Sequence, residues 1–264
     1  RQMNGLALHY YTVARGDWRK KDPATGFKET AWHEIFVQTL KMEELITRHS
    51  AIMDQYDPQK RVGMVVDEWG TWYAVEPGTN PGFLYQQNTL RDAVVAALNL
   101  HIFHQHADRV TMANIAQMVN VLQAMILTDQ ERMLLTPTYH VFEMFKVHQG
   151  ATSLPFTLTS PDYVVGENKI PALSASASRD AAGKVHLSFA NCDAHHAIRV
   201  SAQLRGSAAK QVTGRVLTAS AIDAHNTFAQ PDTVRPAPFT GATLAGDTLT
   251  VALPAKSVVI LELN

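Results

Sequence analysis

The sequence predicts an α/β region of parallel βα units followed by an all-β region folded as an antiparallel β-sandwich. Across residues 1–150, short apolar runs alternate with long helix-patterned stretches, the signature of βα units around a parallel sheet. Those apolar runs lack period-two alternation, as strands buried on both faces do. After Gly150, Pro and Gly become frequent and the runs turn short and partly alternating. A domain boundary is therefore expected near residue 150, separating 1–150 from 151–264.

Three predicted strands cover 6–8, ending at His9, then 62–66, ending at Asp67 and Glu68, and 110–113, ending at Asn114. Between the first two, a helix is predicted over about 30–54, stopped by Pro58. Between the second and third, Leu90, Val94, Leu98 and Ile102 recur every fourth residue and predict a helix over about 89–106. A last helix is predicted over about 137–148, with Pro137 at its first position and Gly150 past its end. In the second region, strands are predicted at 185–189, 212–217, 249–253 and 258–263, with turns at Ala182-Gly183 and Ala245-Gly246-Asp247.

Composition narrows the function. A 264-residue chain with 46% hydrophobic residues can bury a substantial core, which excludes wholesale disorder. Its net charge of -1 offers nothing to attract a phosphate backbone or an anionic membrane face, so neither nucleic acid nor membrane is an expected partner. No stretch reaches the roughly 18 apolar residues that span a bilayer. Cys192 is the only cysteine, which removes disulfide frameworks and multi-Cys zinc sites and suits a reducing compartment. Localisation is open, with cytoplasmic favoured over secreted. No P-loop, G-x-G-x-x-G or G-x-S-x-G motif is present, and no cofactor is implied. The chain begins at Arg1 and runs at once into a strand, so it is expected to start inside a longer protein.

Reactive side chains of parallel α/β sheets gather at the C-terminal strand ends, and all three strands here end in polar groups. Glu68 would project a carboxylate from the rim beside Trp69, although acidic residues there also serve as caps or loop ion pairs. His9 and Tyr11 could orient or hold a carboxylate, or be a satisfied rim histidine and a packing tyrosine. Trp72, with Trp69 and Tyr73, could stack on a sugar face or anchor a loop. Gln117 could bond sugar hydroxyls, or be a cap or surface amide in a helix's first turns. His101, His104 and His106 suggest a metal cluster, but no acid or cysteine completes it and no metal site is expected. Arg19-Lys20-Lys21 reads as a solvated loop, and His195-His196 as a turn.

The segments LALHYYT, VVDEWGTWY, HADRVTMANIAQMVNVLQAMILTD and TPTYHVFEMFKVHQGA resemble the C-terminal half of an α-L-arabinofuranosidase of glycoside hydrolase family 51. The resemblance runs from about Asn4 to the end and is looser beyond residue 150. It implies a partial (β/α)8 TIM barrel, about strands six to eight, with an appended β-sandwich. It implies a retaining hydrolase that releases terminal α-L-arabinofuranosyl groups from arabinoxylan, arabinan or their oligosaccharides. On this resemblance Glu68 is the nucleophile, His9 and Tyr11 position the catalytic carboxylates, Gln117 contacts the arabinofuranosyl ring, and Trp72 lies near the sugar subsite. It also makes a homo-oligomer, built on trimers, plausible.

One departure governs the interpretation. Retaining glycosidases need two carboxyl groups roughly 5 Å apart, one ionised and one protonated. The family's acid/base follows an earlier strand as an Asn-Glu pair, and no Asn-Glu precedes His9. A barrel also needs about 200 residues or more. An N-terminal portion of the same enzyme is thus the expected partner, completing barrel and site. Two rival readings stay open: a retaining glycosidase acting on a β-linked glucan or xylan, and a non-catalytic sugar-binding or assembly fragment.

Overall fold

A computed structural model describes residues 2–264. The first part of the chain builds β1 (Gly5–Thr12), α1 (Glu29–Thr39), α2 (Lys41–Tyr56), β2 (Gly63–Thr71), α3 (Leu90–Gln105) and β3 (Val110–Ile115). Strands β1, β2 and β3 form a parallel sheet in that order, with helices crossing between successive strands.

All three strands run past their predicted ends. The register slips between Ala7 and His9 in β1, and between Val66 and Trp69 in β2; pairing of β1 with β2 resumes at His9 and Glu68, and that of β2 with β3 at Trp69. Such irregularities re-aim side chains without ending a strand. Consequently His9 and Glu68 lie within paired strand, opposite one another in register.

The single helix predicted over 30–54 is two helices. The Thr39 hydroxyl donates to the Ile35 carbonyl at 2.8 Å, a back-bond that bends helices, and the ladder restarts after Leu40. Helix α3 starts with a reciprocal cap: the Thr89 hydroxyl accepts from the Arg91 amide, and the Asp92 carboxylate accepts from the Thr89 amide at 2.8 Å. Residues 90–99 are all buried, because α3 is covered on more than one side. It packs on β2, β3, α1 and α4 (Pro137–Phe145), and also on the antiparallel strands described below. Between β3 and α4 the structure inserts a hairpin, β4 (Ile126–Asp129) and β5 (Arg132–Leu135), which the sequence reading did not predict.

The remaining strands are β6 (Thr152–Ser153), β7 (Asp162–Val165), β8 (Asn168–Pro171), β9 (Leu173–Arg179), β10 (Val185–Asn191) and β11 (Ile198–Gln203). They continue with β12 (Val212–Leu217), β13 (Ala237–Pro238), β14 (Ala242–Ala245), β15 (Thr248–Leu253) and β16 (Ser257–Leu263). A six-stranded sheet has the order β13-β12-β16-β10-β9-β6, and a three-stranded sheet β11-β15-β14. Leu173, Phe189, Val259 and Leu261 from the first share a core with Leu249, Val251 and Leu253 from the second, the arrangement a β-sandwich requires. The turn between β14 and β15 holds Gly246 at φ +61, a backbone that residues bearing a Cβ rarely adopt.

Apart from the β4–β5 hairpin, the antiparallel strands all follow residue 150, yet the packing continues across it. Trp32, Ile35 and Phe36 of α1, Val66 of β2 and the face of α3 join Cys192, Leu217, Val258 and Ile260 in one core. Trp32 is fully buried and its indole donates to the Cys192 carbonyl at 2.8 Å. Burial of a large apolar side chain contributes about 1.5–3 kcal/mol, so this seam binds the two regions firmly. No helix among the described residues is long and apolar enough to cross a membrane.

Candidate active site

The ends of β1 and β2 bring together four of the five residues singled out from sequence. The Tyr11 hydroxyl donates to Glu68 Oε2 at 2.7 Å. Burial first, and then this bond to a carboxylate, push the Tyr11 hydroxyl well above the usual tyrosine range, so it stays a proton donor at any ordinary pH. His9 Nδ1 lies 3.6 Å from the same Oε2, while His9 Nε2 lies 2.8 Å from Asp67 Oδ1. Both contacts thus address Oε2, and among the described residues no hydrogen bond or ion pair engages Oε1. The Glu68 side chain is 46% exposed, which suits a group that must meet a substrate.

Trp72 packs edge-on against Tyr11 with ring centroids 5.1 Å apart, and its amide donates to the Thr12 carbonyl. Sequence reasoning missed Trp18, which closes a triangle of rings: 5.3 Å from Trp72 and 6.5 Å from Tyr11. It also placed Lys21 in a solvated loop. Arg19 and Lys20 are exposed, but the Lys21 ammonium sits 4.7 Å from the Trp72 ring and 5.6 Å from Trp18. A tryptophan spaced seven residues from Tyr11 was the available signal, and only the folded loop makes it meaningful.

Gln117 is not joined to this group. It sits in the loop after β3 and not in a helix, is exposed, and donates its backbone N–H to the Val121 carbonyl. Its neighbour Ala116 is anchored at the right place, since the Ala116 amide donates to the Trp69 carbonyl beside Glu68. Gly70 permits that approach: its φ is +146, and a Cβ there would stand 3.2 Å from the Ala116 carbonyl oxygen.

A buried network fixes the end of β2 from behind. The Thr71 hydroxyl donates to Asp92, its amide to Gln123 Oε1, and Gln123 in turn donates to the Asp92 carbonyl at 2.8 Å. Burial raises the Asp92 carboxyl above the usual range, and the capping and Thr71 bonds oppose that rise.

The histidines read as a metal candidate are used otherwise. His101 bonds the Ser174 and Ser188 hydroxyls, His104 bonds Ser176, and His106 pairs with Glu43 at 2.7 Å. Among the described residues no three His, Cys, Asp or Glu side chains are grouped to hold a metal ion. His195 and His196 follow Asp193, whose side chain accepts both of their amides in a turn. Cys192 is buried, and desolvation pushes its thiol up to about 12.

Comparison with known proteins places the chain in a family. The α-L-arabinofuranosidase C-terminal domain model matches residues 67–257, starting one residue before Glu68. The intracellular exo-α-L-arabinofuranosidase of Bacteroides ovatus is 48% identical over all of this chain, which spans 51% of that protein. An intracellular exo-α-(1→5)-L-arabinofuranosidase of Streptomyces lividans is 29% identical over 75% of the chain. Among solved structures, the family 51 arabinofuranosidase of Xanthomonas axonopodis pv. citri superposes with a TM-score of 0.97 at 56% identity, covering 99% of this chain and 53% of that one. The chain thus spans about half the length of the relatives it matches. Carrying the family's domain over most of its length, and aligned along all of it with the Bacteroides enzyme, the chain belongs to the α-L-arabinofuranosidases of glycoside hydrolase family 51.

Proposed function

We propose that this chain supplies the nucleophile of a retaining, exo-acting α-L-arabinofuranosidase, with Glu68 as the attacking carboxylate. The observation that carries the reading is the 2.7 Å bond from Tyr11 to Glu68 Oε2 between adjacent parallel strands. Tyr11 fixes the carboxylate plane and stabilises its charge, while Oε1 attacks the anomeric carbon to form a glycosyl-enzyme ester. The acid that protonates the leaving oxygen, and then deprotonates the incoming water, belongs to the N-terminal portion of the same enzyme. Strands β1 to β3 are in this reading the sixth to eighth strands of a TIM barrel, and the two antiparallel sheets its appended β-sandwich. Residues 1–150 and 151–264 correspond to those two parts.

His9 holds Glu68 against Asp67, and Trp72 walls the arabinofuranosyl subsite. Gln117, poised at the end of β3, turns inward to bond the sugar hydroxyls when the barrel is complete. Terminal arabinofuranosyl groups of arabinoxylan, arabinan and their oligosaccharides are the substrates, in a homo-oligomeric enzyme of the cytoplasm. The names of the Bacteroides and Streptomyces relatives, both called intracellular and exo-acting, support that assignment.

Hydrolysis of an aryl α-L-arabinofuranoside by the complete catalytic unit tests it. Glu68→Gln is expected to lower kcat on the order of 10⁴-fold or more, and a mechanism-based arabinofuranosyl inhibitor to label Glu68. Activity that survives the substitution, or a label on another residue, refutes the assignment.

A further inference from the structure

The loop after β1 is a built structure. Arg15 pairs with Asp22, and Asp17 accepts from both the backbone and the side chain of Arg19. The Ala74 amide after β2 donates to the Asp22 carbonyl at 3.0 Å, tying the loop to the second strand. Residues 15–22 hold four basic and two acidic side chains, and each acid already has its arginine. Lys21 has no carboxylate within ion-pair distance among the described residues. It is nevertheless drawn in from solvent, its ammonium resting on Trp72 and near Trp18.

Trp18 itself is 50% exposed, the outermost ring of the cluster that begins at Tyr11. For an exo-acting enzyme the substrate beyond the terminal sugar lies entirely on the leaving-group side. With Trp72 walling the subsite of the terminal sugar, the exposed indole packed against it is the next stacking platform for a sugar ring, and the unpaired ammonium beside it is a receptor for one negative charge. A lysine acts as a single positive point charge, which matches the one negative charge of a carboxylate and leaves the roughly −1.5 to −2 of a phosphate monoester only partly neutralised.

Resting on the hydrolytic reading of Glu68, we infer that Trp18 and Lys21 form a leaving-group subsite that selects arabinofuranosyl groups carried on uronic acid-containing oligosaccharides. Trp18 stacks on the leaving-group sugar, and Lys21 pairs with its carboxylate.

The test compares 4-carboxyphenyl α-L-arabinofuranoside with its methyl ester on the complete catalytic unit. The ratio of their kcat/KM values cancels effects common to both. Lys21→Met is expected to lower the carboxylate-to-ester ratio about fivefold, Lys21→Arg to retain it, and Trp18→Ala to depress both substrates. In the unaltered protein, raising salt from about 0.02 to 0.5 M is expected to erode the ratio, a readout that needs no variant. A ratio moved by neither salt nor Lys21→Met overturns the inference alone. Turnover of neither glycoside overturns the hydrolytic reading of Glu68 and the inference with it.

Discussion

Histidine is put to opposite uses at the two ends of the molecule. At the rim, His9 is 48% exposed and both of its ring nitrogens face carboxylates, Asp67 and Glu68. Between α3 and the six-stranded sheet, His101, His104 and His148 face serine hydroxyls, with bonds of 2.7–3.1 Å to Ser174, Ser176, Ser178 and Ser188. There burial drives all three toward the neutral form, His104 down to about 4 and His148 to about 3. Helix α3 joins the two regions, since Asp92 at its start braces the end of β2 while its last turns carry two of the serine-bonded rings, His101 and His104. Half-exposed groups at the rim can stay charged in contact with water, whereas a seam between layers calls for neutral polar groups that satisfy each other.

Acid should break the second region first, and by the largest margin. A histidine with a depressed native pKa binds its proton less readily folded than unfolded. Its neutral, serine-bonded state is fully compatible with the fold above pH 6.5, and stability falls as pH drops from there through about 4 for His104 and about 3 for His148. Each unit of depression corresponds to about 1.4 kcal/mol, so the seam is expected to lose on the order of several kcal/mol across that window. Carboxylates could soften the loss only if they faced these rings. Phe145 and the neighbouring histidines do so instead, and of the histidines only His186, beyond them, pairs with Asp180 among the described residues. Urea unfolding at pH 7 and pH 4.5 measures the effect, and His104→Phe with His148→Phe should flatten it. An unchanged urea midpoint between the two pH values contradicts the account.

The rim should respond in activity and not in stability. Tyr11→Phe removes one bond to a charged acceptor while the ring keeps its contacts with Trp18 and Trp72. Bonds to charged groups contribute about 1.5–3 kcal/mol, which corresponds to roughly a ten- to hundredfold loss of kcat in the complete enzyme. The urea midpoint should move little. A variant that unfolds more readily yet turns over normally would make Tyr11 a packing residue.

How much of this was legible differs in the same way between the two regions. Glu68, Asp67 and Trp72 are close in sequence, and His9 and Tyr11 end the neighbouring strand, so the parallel order β1-β2-β3 was enough to assemble them. The strand lengths were not legible, because the register slips at Ala7 and Val66 leave no mark in an apolar pattern. Trp18 and Lys21 depend on how a loop folds around the Arg15–Asp22 and Arg19–Asp17 pairs. Gln117 follows β3 as expected, but it sits exposed in a loop and not in a helix's first turns. The histidines looked like ligands because three fall within six residues, while the true partners of His101 and His104 lie more than seventy residues away in β9 and β10, and that of His106 is Glu43 in α2.

The smallest expected effect separates the two regions most cleanly. The Ser176 hydroxyl bonds both His104 Nδ1, at 2.9 Å, and the Ser188 hydroxyl, at 2.7 Å. Ser176→Ala deletes only that oxygen, so the fold can accommodate it, but it strands a buried imidazole nitrogen. Leaving such a group unpaired costs about 1–3 kcal/mol. Because the hydroxyl of Ser188 can turn toward the vacancy, the lower half of that range is expected, about 1 kcal/mol in urea unfolding at pH 7. Arabinofuranoside turnover should be unaffected, since Ser176 touches nothing near Glu68. If turnover falls along with stability, α3 transmits strain from the seam to the end of β2 through Asp92 and Thr71, and the two regions are one mechanical unit. If stability alone moves, the bonds at the two ends of α3 act independently, and the rim is fixed by its own buried network.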